Sequence, residues 1–123
     1  MKPLLKPLFA GILAACLSFM PASAQAPYDP QLMRLAEVLG SIHFLRSLCG
    51  EEESVWRDRM EALILAEAPS EERKARLIAS FNRGYRAFAG VYTSCTEAAA
   101  QAVARYMKEG ETLTDEITRR YGN

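Results

Sequence analysis

Residues 70–95 read SEERKARLIASFNRGYRAFAGVYTSC, and the reading of this stretch decides the fold class. Leu77, Phe81, Tyr85, Phe88, Val91 and Tyr92 recur at spacings that place them on one side of a helix, not at the strict alternation of a strand. Ser70 offers a cap oxygen, and Glu71 and Glu72 fall in the first turn, where carboxylates complement the positive end of the helix dipole. Gly84 sits at the edge of the stripe. A glycine inside a helix costs about 1 kcal/mol against alanine, a loss that close approach by a neighbouring helix would offset. The stretch therefore reads as a long amphipathic helix ending at Cys95, with three other helical segments packed on it.

Working outward, Asp29 and Pro30 read as the cap and first position of a helix that carries Leu32, Leu35, Leu39, Ile42 and Cys49 on one face, widened by Val38 and Leu45. Gly50 is its stop. A second helix follows the acidic run Glu51-Glu52-Glu53, presents Trp56, Met60, Leu63 and Ile64, and ends at Pro69. Ser94 and Glu97 have capping-box spacing, and open a fourth helix with Ala99, Ala102, Val103, Tyr106, Gly110, Leu113, Ile117 and Tyr121 inside. Its small residues predict close packing. The expected fold is all-α, either a four-helix bundle or two packed antiparallel helical hairpins.

Short connections make sequential helices antiparallel, so the ends of the first and third helices share one end of the bundle. Those are the positions of Cys49 and Cys95. Two cysteines in a small exported domain are most simply read as one disulfide, and closing a loop of this length contributes about 4 kcal/mol in the chain-entropy picture.

Export is read from the N-terminus. Lys2 and Lys6 precede an apolar run from Leu8 to Met20, Pro21 breaks it, and Ala22-Ser23-Ala24 offers small residues for cleavage. Residues 1–24 are thus expected to be a signal peptide and residues 25–123 a single helical domain, periplasmic or secreted. Leu13-Ala14-Ala15-Cys16 also fits a lipoprotein cleavage pattern, but Leu17, Phe19 and Met20 continue the apolar run beyond Cys16. After cleavage no transmembrane segment is expected. The full chain holds 15 basic and 15 acidic residues, and loss of Lys2 and Lys6 leaves 13 against 15. That balance gives no electrostatic case for nucleic acid, which wants a basic face.

With these residues in view, the chain resembles an uncharacterised family of small exported bacterial proteins, catalogued only as a domain of unknown function. The resemblance is carried by YDPQLMRLAEVLGSIHFLRSLCG, by Trp56-Arg57 with Met60 and Leu63, and by EAPSEERKARLIASFNRGYRAFAGVYTSC. It implies a periplasmic location in a Gram-negative cell and brings no activity and no catalytic residue.

No catalytic constellation is visible, so the expectation is a non-enzymatic envelope protein that binds a protein or an anionic envelope component. His43 is the single histidine and has no second ligand at metal-site spacing. Without a C-x-x-C-H motif, haem attachment is not expected, and no metal or cofactor is assigned. Arg46 interrupts the apolar stripe of the first helix and must find acceptors: Glu52 or Glu53 would serve, or a ligand carboxylate or phosphate. Arg76, Asn82, Arg83 and Arg86 face away from the aromatic stripe and form a row suited to an anionic partner. The alternative function is small-molecule binding in an inter-helix pocket lined by Trp56, Phe81, Tyr85 and Tyr106, with Arg46 as ionic anchor.

Overall fold

The computed structural model describes residues 3, 26–50 and 55–122. The expected signal peptide and the Glu51–Glu53 run lie outside the described residues. Four helices are present: α1 (Asp29–Leu48), α2 (Val55–Glu67), α3 (Glu71–Ala89) and α4 (Glu97–Tyr121). No strand occurs among the described residues, so the chain is all-α as expected.

α1 and α3 run in the same direction: Asp29, Ser41 and Cys49 meet Arg73, Gly84 and Cys95 in that order. α4 runs against α1, so that Leu45 packs on Ala99, Arg34 meets Glu109 and Tyr28 meets Tyr121. The up-down-up-down course is thus observed. Cys49 and Cys95 are joined as a disulfide, with their Cα atoms 4.9 Å apart.

The centre of the structure is α1, not α3. All three other helices lie against α1, while α2 barely touches α3 and, among the described residues, the backbone of α4 approaches α1 alone. The reason is visible in composition. α3 has one apolar side and can cover one neighbour. α1 buries Leu32, Leu35, Ala36, Val38, Gly40, Ser41, Ile42 and Leu45, which together look outward in every direction, the mark of an enclosed helix.

The α1–α3 seam is the closest in the molecule. A methyl group placed on Gly40 would lie 1.9 Å from the carbonyl oxygen of Phe81, and one on Gly84 would lie 1.9 Å from that of Glu37. Each helix thus lays its backbone on a glycine of the other, as Gly84 suggested. Ser41 completes the seam by donating its hydroxyl to the Gly84 carbonyl at 3.0 Å. On the other side of α1, Gly110 of α4 stands against Val38.

Helix ends correct the sequence reading in three places. α3 stops at Ala89 with Gly90 as its cap residue, and the following loop carries Cys95 back to Cys49, leaving Val91 exposed instead of in the core stripe. The α4 cap is Thr96, whose hydroxyl accepts from the Ala99 amide at 3.1 Å; Ser94 lies two residues too early. Asp29 is the first helical residue of α1, not its cap, because Arg73 takes its carboxylate. Ser70 caps α3 as expected, accepting from the Arg73 amide at 3.2 Å. Gly50 follows the end of α1 at φ 94°, a left-handed conformation open to glycine.

Candidate functional site

α2 has two open sides. It buries only Trp56 and Met60, and these two side chains hold it on α1. Between α2 and α4 lies a cleft of about 700 Å³ whose floor is Leu35, Val38, Leu39 and Ile42 of α1. Trp56 and Arg59 form one wall. The α4 wall presents Ala104, Met107 and Lys108 and then, further along, Glu111 and Asp115. The Arg59 guanidinium carbon lies 4.9 Å from the centre of the Trp56 ring, a cation–π arrangement that places a cation beside the indole.

Between α2 and α3 lies a groove of about 520 Å³ based on Met60, Ile64 and Phe81, with Leu65 and Ile78 on its edges. Leu65 is 80% exposed and Ile78 40%. Arg57 and Lys74 supply cations at the rim, set against Glu61, and Asn82 closes one side.

The expected residues do not form one site. Arg76 is half-buried and shares a flank of α3 with exposed Arg83, which reaches Glu37 of α1 at 3.8 Å. Seven residues span about two helical turns, so Arg76 and Arg83 align, whereas Asn82 lies on the flank that meets the α2–α3 groove and Arg86 on the exposed back. The row is therefore divided. The four pocket aromatics fall into two pairs: Tyr106 packs against the cluster that holds Trp56, and Phe81 and Tyr85 flank the His43 ring. Trp56 belongs to the α2–α4 cleft and Phe81 to the α2–α3 groove. Tyr85 packs on Phe44, and Tyr106 meets Phe88 edge-on at 5.1 Å with Arg34 over its ring.

His43 sits half-buried between Phe81 and Tyr85, with both ring centres at 5.8 Å. Burial, reinforced by the Arg57 charge, lowers its pKa and favours the neutral ring. Arg46 is half-buried in the last turn of α1, where a cation complements the negative end of the dipole; its expected partners Glu52 and Glu53 lie outside the described residues. Among the described residues, no group of three metal-ligating side chains is placed to hold an ion.

Sequence reading missed a buried charge with two acidic partners, Arg73. Arg73 is 6% exposed and grips Asp29 with Nε at 2.9 Å and Nη2 at 2.6 Å, while Nη2 also donates to Glu67 at 2.9 Å. Tyr28 donates its hydroxyl to the same Glu67 oxygen at 2.9 Å. The bond to Asp29 is the main reason the Arg73 pKa is raised, and the bond to Glu67 raises that of Tyr28. Arg73 stands one turn before Leu77 on the apolar side of α3, so the argument applied to Arg46 would have found it. A second, half-exposed network has Arg34 donating through two nitrogens to Glu109, which lowers the Glu109 pKa. Both tie helices together.

Among the described residues no helix is long and apolar enough to cross a membrane. The family described as Protein of unknown function (DUF2385) matches residues 27–121, which takes in all four helices. No curated protein and no solved structure matches the chain.

Proposed function

The chain belongs to this family of unknown function, and we propose that it is a non-enzymatic binding protein of the cell envelope that captures a protein partner in the α2–α3 groove. Leu65 carries this reading. A leucine 80% exposed on the rim of an apolar groove, beside Ile78, leaves surface that a partner's apolar side chains would remove from water. Arg57 and Lys74 at the rim favour an amphipathic segment with an acidic flank. This moves the binding surface from the divided arginine row to the groove.

Export with removal of residues 1–24 is part of the same proposal. The disulfide supports it, because such bonds persist in oxidising compartments. Intact mass of the protein from its native envelope should start at Gln25 and be two hydrogens short of the reduced chain.

Capture from oxidised envelope extracts tests the surface. The expected result is a partner retained by the wild type and by Arg86→Glu, and lost with Leu65→Glu or Ile78→Glu. A partner lost with Arg86→Glu but kept by the groove variants would return the site to the back of α3.

A further inference from the structure

We propose that the cleft between α2 and α4 is a second binding site, on the opposite side of α2 from the groove, and that it takes an apolar small molecule bearing one anionic head. Its size falls within the range of small-molecule pockets, and its floor of Leu35, Val38, Leu39 and Ile42 suits an aliphatic or aromatic body.

An independent observation comes from the wall. Trp56 is 8% exposed, and its indole Nε1–H has no acceptor among the described residues. Buried donors in native proteins are almost always paired, and an acceptor entering from the cleft would pair this one. A ligand oxygen supplies the acceptor while its apolar body covers the floor.

The charges set the sign of that oxygen. Arg59 stands over the indole from the α2 wall, and Lys108 faces the cleft from α4. Glu111 and Asp115 line the same α4 wall but follow Lys108 by about one and two turns, towards the other end of the cleft. The indole end is thus cationic and the far end acidic, which orients an anionic head at Trp56 and its tail along α1.

Trp56 is the chain's single tryptophan, so its emission reports on the site directly. The probe is decanoate, kept below its micelle concentration, titrated into the exported, disulfide-bonded protein, with decanol as the uncharged control. A saturable change in emission is expected with decanoate, and clearly weaker binding with decanol. Arg59→Gln should weaken decanoate about fivefold, the upper value for an exposed ionic contact. Trp56→Phe, followed by calorimetry, should weaken it about tenfold through loss of one buried hydrogen bond. Ala104→Phe, which fills the cleft from an exposed helix position, should abolish binding while the melting temperature stays near that of the wild type. No saturable response to either probe overturns the site. Binding that survives both Ala104→Phe and Arg59→Gln overturns it too, and equal affinity for decanol overturns the anionic head. Because Leu65→Glu leaves this cleft intact, failure of partner capture in the groove and failure of the cleft are read separately.

Discussion

α3 and α2 lie against the same central helix and are held in opposite ways. At the α1–α3 seam, each backbone rests on a glycine of the other helix, Ser41 bonds across, Arg73 grips Asp29, and a disulfide closes the far end. α2 has Trp56 and Met60 in the core, a tie at Glu67, and open space on both sides. A seam with backbone on backbone has no room for a ligand. A helix standing off its neighbours on two buried side chains leaves surfaces for binding, and that is why both proposed sites border α2.

The hardest way to test the locked side is Arg73→Met. It leaves Asp29 and Glu67 desolvated without their cation, and breaking a buried pair from one side costs about 3–5 kcal/mol. Denaturant unfolding should show a loss of that order, and full stability in the variant would mean the cluster is far wetter than its burial indicates. Replacing Cys49 and Cys95 together by serine should cost about 2–4 kcal/mol, with reduction of the wild type giving the same midpoint. A difference between the two would assign part of the loss to the serines. Gly84→Ala comes next: the added carbon meets the Glu37 carbonyl, so overpacking of about 1–3 kcal/mol opposes a gain in helix propensity of about 1 kcal/mol. A net stabilisation would show that the seam can part.

The contrast was only half legible in the sequence. Helical period, the Ser70 cap and the two cysteines sufficed for four helices, their course and the staple, because each depends on local spacing or on parity. The hub was misplaced. α3 shows a sharp apolar stripe and draws notice, whereas the stripe of α1 is extended by Ala36, Gly40 and Ser41, small residues whose burial only the packed fold reveals. Arg73 could have been noticed as a cation beside the apolar stripe, but its partners, 44 and 6 residues away, could not be named before the fold brought Asp29 and Glu67 to it. The division of the arginine row was available from helical angle alone: positions 76 and 83 align, while 82 and 86 do not. The clefts were not available, since they are defined by how far α2 stands from α3 and α4.

A smaller effect probes the border between the two sides. His43 lies on the α1–α3 seam and feels Arg57 of α2, and its pKa in the fold is below the ordinary 6.5. Above that value the ring is neutral in both states and costs nothing. As pH falls below 6.5 the unfolded chain takes the proton first, so stability declines until the folded value is passed as well. Melting curves from about pH 7.5 to about pH 5.5, a window above most carboxylates, should show a modest fall that His43→Phe flattens. A rise on acidification would place a carboxylate beside the ring and redraw this border.

The smallest expected change in stability is the most informative about α2. Leu65→Glu replaces a side chain that is 80% exposed and borders only the groove. Substitutions at such positions usually stay within about 0.5 kcal/mol, and glutamate is a good helix former. Stability in the isolated protein should therefore be unchanged by this variant, while partner capture is lost. If unfolding shows a loss comparable to a buried leucine, about 2 kcal/mol or more, then Leu65 is packed in solution and the groove is closed. In that event α2 is held as tightly as α3, and the α2–α4 cleft, which does not depend on Leu65, becomes the one open surface left to test.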